Sequence, residues 1–160
     1  MKNNQTKQNT IDIIETLKEK KQSITFAESC TGGRIASAFT AISGASSVLN
    51  GSAVTYSNKI KSQWLGVREE TLINYGAVSS QCVSEMLEGI CKMANANYAI
   101  AVSGIAGPTG GSVEKSVGTV YIGIKTPKDI IVNQYLFKGD REEVQNQATS
   151  KSIEILKKNI

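Results

Sequence analysis

The sequence predicts an α/β sandwich built on a mostly parallel sheet, and three observations predict it. Short β-rich or alternating apolar segments lie at 23–28, 48–56 and 98–103. Segments of helical spacing precede, separate and follow them, the arrangement expected of parallel strands joined by crossover helices. Near the end, 117–125 and 130–138 read as two strands joined by a turn at 126–129, a hairpin that reverses one strand.

Each element has a local reason. Thr10 stands as an N-cap, and Ile11, Ile14 and Leu17, with Ile13 beside them, mark an amphipathic helix ending near Lys21. The strand at 23–28 runs into a turn at Ser29, followed by a small-residue helix at 34–42 and a loop at 43–46. After the strand at 48–56, Ser57 or Asn58 caps a short helix running toward Leu65. Residues 68–75 read as helix, with Gly76 as a left-handed stop. Ser79 or Ser80 opens another helix, in which Val83, Met86, Leu87, Ile90 and Ala94 recur at helical spacing. The strand at 98–103 ends in a glycine-rich loop at 104–111 that contains Pro108, and a last helix spans 141–158. No linker, repeat or low-complexity tract interrupts the 160 residues, so a single domain over 1–160 is expected.

Composition excludes several function classes. A hydrophobic content of 40% supports a core and argues against disorder. The net charge of +4 is modest, and the densest basic cluster, Lys18, Lys20 and Lys21, sits at a helix end where cations favour the dipole. With one Trp, three Phe and no interleaving of aromatic and basic residues, nucleic-acid binding is not expected. Cys30, Cys82 and Cys91 are odd in number and form no Cys-x-x-Cys pair, which suggests free thiols in a reducing compartment. Residues 1–10 are polar and lack a signal-peptide core, and no stretch is long enough to span a bilayer, so a cytoplasmic, membrane-free protein is expected.

The chemistry centres on Ala27-Glu28-Ser29-Cys30-Thr31-Gly32-Gly33, read beside a histidine count of zero. A serine between strand and helix would meet the first free N–H groups of that helix, a site for a developing oxyanion. Without histidine, proton transfer falls to lysine, tyrosine, cysteine or a carboxylate. On spacing alone the segment fits a tight connection equally well, with Thr31 as N-cap and the glycines easing helix–sheet contact. Cys30 is the rival nucleophile; it is intrinsically the better one, but the neighbour of a turn residue usually points elsewhere, often inward.

The second group is Tyr56-Ser57-Asn58-Lys59-Ile60-Lys61. Parallel strands end at the same sheet edge, which brings Tyr56 and the helix after it near Ser29. A lysine there acts as general base only when neutral. Its pKa must then fall from about 10.4 to roughly 7–8 through burial or a cationic neighbour. A surface lysine is the commoner outcome; Lys59 reads as one, while Lys61, two positions on, can face the serine turn. The third group, Ser103 to Ser112, exposes backbone N–H groups to which a phosphate or sugar can come close, or else merely crosses between strands. It is neither a P-loop nor a dinucleotide fingerprint. Lys115 beyond it can meet an anion or simply stand in solvent. Having no histidines and no clustered thiols or aspartates, the chain is not expected to hold a metal.

Together these segments resemble the CinA C-terminal-domain family, whose enzymatic members are PncC-like nicotinamide-nucleotide amidohydrolases. The resemblance runs nearly end to end: 27–33, Val54-Thr55-Tyr56-Ser57-Asn58 through Lys61, Leu65-Gly66-Val67, Gly76-Ala77-Val78-Ser79, 103–111 and Gly139-Asp140-Arg141. It implies a three-layer α/β/α sandwich with a five-stranded mixed, mostly parallel sheet, and commonly a homodimer. It also implies hydrolysis of nicotinamide mononucleotide to nicotinate mononucleotide and ammonia, with no metal or organic cofactor. Carried onto this chain, Ser29 matches the nucleophile, Lys61 the general base and Tyr56 its assisting hydroxyl. The turn with Cys30, Thr31, Gly32 and Gly33 would supply oxyanion donors. The Ser103, Gly104, Ile105 and Gly107 loop, with Lys115 and Arg141, would hold the nucleotide.

Two positions depart from the family pattern: Lys59 stands where relatives often carry an acid, and Ser116 where a proline is usual. Both bear on local charge and loop rigidity rather than on the proposed dyad. Many relatives carry an additional N-terminal domain that this chain is expected to lack, and nothing associated with it transfers. The competing reading is a non-catalytic nucleotide-binding or regulatory module tied to competence or DNA damage.

Overall fold

The computed structural model describes residues 2–160. In chain order, helix α1 (Lys2–Lys20) precedes strand β1 (Ile24–Glu28) and helix α2 (Arg34–Thr40). Strand β2 (Leu49–Val54) leads to helices α3 (Asn58–Leu65), α4 (Glu69–Tyr75) and α5 (Ser80–Ala94). Strand β3 (Tyr98–Gly104), the hairpin of β4 (Thr119–Lys125) and β5 (Ile130–Leu136), and helix α6 (Arg141–Lys158) complete the chain.

The five strands lie in the order β2-β1-β3-β4-β5. β1 is parallel to both β2 and β3, and β4 is antiparallel to both β3 and β5. Four strands therefore run one way and β4 alone runs against them. This is the mixed, mostly parallel sheet with one reversed strand that the hairpin predicts.

Both faces of the sheet are covered, which makes three layers. β1 is buried along its whole length because its alternating side chains enter two different cores. Ile24 and Phe26 pack with Ile13, Leu17, Ile35, Phe39, Ile153 and Leu156 of α1, α2 and α6. Ala27, with Ala99 and Ala101 of β3, faces Leu65, Val83, Met86, Leu87 and Ile90 of α3 and α5. The small residues on that second face let α5 lie close to the sheet. α3 in turn lies close to α5, because Gly89 sits against the Leu65 main chain; a Cβ there would come 2.6 Å from the Leu65 carbonyl carbon.

Several local expectations need correction. Thr10 is not an N-cap: α1 continues eight residues upstream of it, and the buried Thr10 hydroxyl donates to the Thr6 carbonyl one turn back, at 2.8 Å. The polar residues before it sustain the helix through side-chain bonds such as Gln5 to Asn9 and Gln8 to Asp12. The 43–46 loop carries a 3₁₀ turn at Ala45–Ser47. Gly76 ends α4 with φ 77° but ψ 171°, leaving in an extended rather than a left-handed helical conformation.

Ser57 caps α3 by accepting from the Ile60 N–H, Ser79 caps α5 by accepting from the Cys82 N–H, and Asp140 caps α6 in a reciprocal box with Glu143. No helix among the described residues is long and apolar enough to cross a membrane.

Candidate active site

The C-terminal ends of β2, β1 and β3 lie side by side, so the segments after Val54, Glu28 and Gly104 meet at one edge of the sheet. α6 delivers its N-terminus to the same place.

The central segment is the serine turn. Its N–H anchors Ser29 to β3, donating to the Val102 carbonyl at 3.0 Å, and the Gly32 N–H closes the turn on the Ser29 carbonyl at 3.0 Å. Gly32 (φ 58°) and Gly33 (φ 96°) follow in conformations that side chains resist. Glu28, fully buried, then does what Thr31 was expected to do. Its Oε1 accepts from the Ile35 N–H and its Oε2 from the Ala36 N–H, each at 3.0 Å, while the Thr31 hydroxyl donates to Oε1 at 2.7 Å. Thr31 thus props the carboxylate rather than capping α2. It is Glu28 that satisfies the first-turn N–H groups of α2, so those groups are spent. The Gly32 N–H is spent as well. Of the expected donors, the N–H groups of Cys30, Thr31 and Gly33 donate to no backbone oxygen among the described residues and remain able to meet an oxyanion.

Lys61 enters from the first turn of α3. It is 1% exposed, and its Nζ lies 3.0 Å from Ser29 Oγ, 2.8 Å from the Thr55 carbonyl and 3.1 Å from the Tyr56 carbonyl. Burial lowers its pKa below the ordinary lysine value, and no cation among the described residues contributes to the shift. A neutral amine has two N–H bonds and one lone pair. With the two carbonyls taking the N–H bonds, the lone pair is left for the Ser29 hydroxyl. An ammonium would instead donate to all three oxygens, so the same geometry accommodates the proton once it has been received.

Cys30, the rival nucleophile, points inward: it is buried in the core with Phe26 and Phe39, and burial pushes its thiol up to about 12. Its thiol stays protonated, whereas the Ser29 hydroxyl meets the Lys61 amine. Its carbonyl accepts from Gln145 Nε2 at 2.9 Å, a contact across 115 positions of sequence.

Ser29 opens into a cleft of about 200 Å³ lined by Cys30, Tyr56, Arg141 and the 104–110 loop. Arg141 bridges two walls: Nη1 donates to the Gly107 carbonyl at 2.7 Å and Nη2 to the Tyr56 hydroxyl at 2.9 Å. The Tyr56 hydroxyl therefore serves Arg141, and it is through its backbone carbonyl that Tyr56 reaches Lys61. Gly104 has no room for a side chain, since a Cβ would lie 2.6 Å from Val120 Cγ2. The Ile105 N–H is engaged with the Thr119 carbonyl at 2.9 Å, so Ile105 lines the cleft without offering that donor. Ser103 is buried at the end of β3, behind the cleft lining. Lys115 is not in the lining either; its ammonium donates to the Tyr75 carbonyl at 2.6 Å and ties the loop to the end of α4. Lys59 is exposed.

The structure thus brings Ser29, Lys61, Tyr56, Cys30, Arg141 and the 104–107 loop together and leaves Lys115 outside. Glu28 and Gln145 escaped the sequence reading. For Glu28 there was a signal, an acid closing an apolar strand directly before the serine; for Gln145 there was none. The buried Thr55 hydroxyl has no partner among the described residues. Among the described residues, no group of three or more His, Cys, Asp or Glu side chains is placed to hold a metal.

A sequence model of the CinA C-terminal domain matches residues 6–160. The nicotinamide-nucleotide amidohydrolase PncC of Escherichia coli (strain K12) is 47% identical over 145 residues, covering 90% of this chain and 88% of that protein. A CinA-like protein of Fervidobacterium nodosum is 46% identical over 148 residues, 92% of this chain but 36% of its own length. This chain spans about a third of such longer relatives. The crystal structure of competence damage-inducible protein A from Klebsiella pneumoniae superposes with a TM-score of 0.92 at 37% identity, covering 96% of this chain and 95% of that one.

Proposed function

This chain belongs to the CinA C-terminal domain family, and on that premise we propose that it is a serine amidohydrolase converting nicotinamide mononucleotide to nicotinate mononucleotide and ammonia. The observation that carries the reading is the buried Lys61 amine 3.0 Å from the Ser29 hydroxyl, with two main-chain carbonyls holding its N–H bonds. The name of the Escherichia coli relative supports the reaction class and the nucleotide substrate.

In this reading neutral Lys61 takes the Ser29 proton as Oγ attacks the carboxamide carbon. The N–H groups of Cys30 and Thr31 receive the oxyanion, a contribution worth about 10²–10³ in rate per donor. The lysine ammonium passes its proton to the leaving nitrogen, ammonia departs, and water, deprotonated by the same amine, releases the acid. Arg141 at the rim supplies a fixed cation for the anionic part of the nucleotide. The same proposal carries a cytoplasmic setting, which suits three free buried cysteines, and a homodimer, in which a second copy covers the exposed apolar side chains of Trp64, Ile73 and Tyr75.

The test is ammonia release from nicotinamide mononucleotide by the wild type and by Ser29→Ala. Release by the wild type that vanishes in Ser29→Ala, with an unchanged melting temperature, is expected. Full activity in Ser29→Ala would overturn the mechanism, and binding of the nucleotide without turnover would favour the regulatory module.

A further inference from the structure

Gln145 lies one helical turn after Arg141 on α6, is buried, and donates from Nε2 to the Cys30 carbonyl at 2.9 Å. The peptide unit it grips is the 30–31 unit. A trans peptide is planar, with C=O and N–H pointing opposite ways, so a hand on the Cys30 carbonyl sets the direction of the Thr31 N–H. That unit is the middle peptide of the turn closed by the Gly32 N–H on the Ser29 carbonyl. The middle peptide of such a turn can rotate without breaking the closing bond. The backbone bonds that pin the turn, from Ser29 N–H to Val102 and from Gly32 N–H to Ser29, leave it ungripped. Gln145 holds it at the carbonyl, and Glu28 holds the Thr31 side chain at the other end.

We infer that Gln145 is a positioning residue that aims the Thr31 N–H at the oxyanion formed on Ser29, an inference resting on the amidohydrolase reading above. Among the described residues no other side chain reaches that carbonyl, and α6 thereby serves the reaction at two points: Arg141 at the rim and Gln145 beneath the turn.

The test uses a fluorophosphonate, which reports on Ser29 without depending on the natural substrate. In the labelling step a bond forms between Ser29 Oγ and phosphorus, the phosphorus–fluorine bond breaks, fluoride leaves, and the serine proton passes to Lys61. The phosphoryl oxygen takes the oxyanion position. Labelling of Ser29 is followed by mass spectrometry against pH for the wild type, Gln145→Met (near in size, without a donor) and Gln145→Glu (an acceptor facing the carbonyl).

Expected is a plateau rate about ten- to a hundredfold lower in Gln145→Met and lower again in Gln145→Glu, because a misaimed donor forfeits part of what a lost one does. The midpoint of the pH profile, which reports Lys61, stays where the wild type has it. A plateau within about twofold of wild type in both variants, or a midpoint that moves together with a lower melting temperature, overturns the inference; the latter marks a merely structural role. If one variant fails to fold, the other decides. A wild type that labels but releases no ammonia from nicotinamide mononucleotide fails the substrate reading alone, with the variant comparison still decisive. A wild type that does not label at all overturns both.

Discussion

Replacing Gly89 with alanine tests how the placement of one helix controls the candidate base. A Cβ at this position of α5 would lie 2.6 Å from the carbonyl carbon and 2.7 Å from the Cα of Leu65, the last residue of α3. Ordinary contact begins near 3.4 Å, and the obstructing atoms are main chain, which cannot swing aside. The Leu65 carbonyl oxygen is nearer still, so the helices must part by more than about 0.8 Å. Overpacking of this kind costs about 1–3 kcal/mol, and the rigid neighbour argues for the upper half of that range. Alanine returns about 1 kcal/mol of helix propensity. A net loss of about 1–2 kcal/mol follows, which lowers the melting temperature by roughly 2–8 °C in a chain of this size.

The functional effect should exceed what that loss of stability alone would cause. Lys61 stands one turn before Leu65 on the same helix, so a shift of α3 moves Nζ away from an Oγ now 3.0 Å distant. A misplacement of about 1 Å costs on the order of 10² in rate. Thermal melts followed by circular dichroism, with ammonia release measured well below the transition, check both halves. A Gly89→Ala protein that melts at or above the wild-type temperature and keeps its full rate would refute the close contact and the coupling drawn from it.

Two further outcomes follow from the site. In Lys61→Met ammonia release is lost and the pH dependence of stability changes with a definite sign. Burial lowers the Lys61 pKa in the folded state below its ordinary 10.5. Between those two values the unfolded chain binds more protons, so wild-type stability gains from Lys61 as pH rises through that window. The stability of the wild type relative to Lys61→Met should therefore increase toward pH 10.5 and level off above it, and a flat difference in denaturant melts over that range would contradict the burial argument. Tyr56→Phe removes a hydroxyl that accepts from Arg141 and does not touch Lys61. It should raise KM by up to about tenfold while leaving kcat nearly unchanged, whereas a hundredfold fall in kcat would restore the phenol to proton transfer.

The order of elements and the meeting of Ser29 with Lys61 could be read from the chain because both depend on short-range pattern and one topological rule. Strands and helices declare themselves within a few residues, and parallel strands bring their ends to one edge. What stayed hidden depends on where single side chains turn. Glu28 sits on a strand buried on both faces, so its period-two position does not reveal that its carboxylate curls forward onto α2. Tyr56 is next to the reacting groups in sequence, yet its ring extends outward to Arg141, 85 positions away. Gln145 falls in an α6 stretch of mixed polarity, and nothing nearby marks it as reaching Cys30. From its place after a glycine-rich loop Lys115 could meet an anion or stand in solvent, and it does neither, because the open Tyr75 carbonyl at the end of α4 claims it.

Two of the three oxygens that surround the Lys61 amine belong to the main chain of Thr55 and Tyr56. Exchanging either side chain leaves those carbonyls in place, so the basicity of this amine is insulated from most single substitutions around it. Directed evolution seeking a different pH optimum would have to work chiefly through depth, by letting water in or pushing it further out, because burial outweighs the nearby Cys82 and Cys30 thiols in setting this amine.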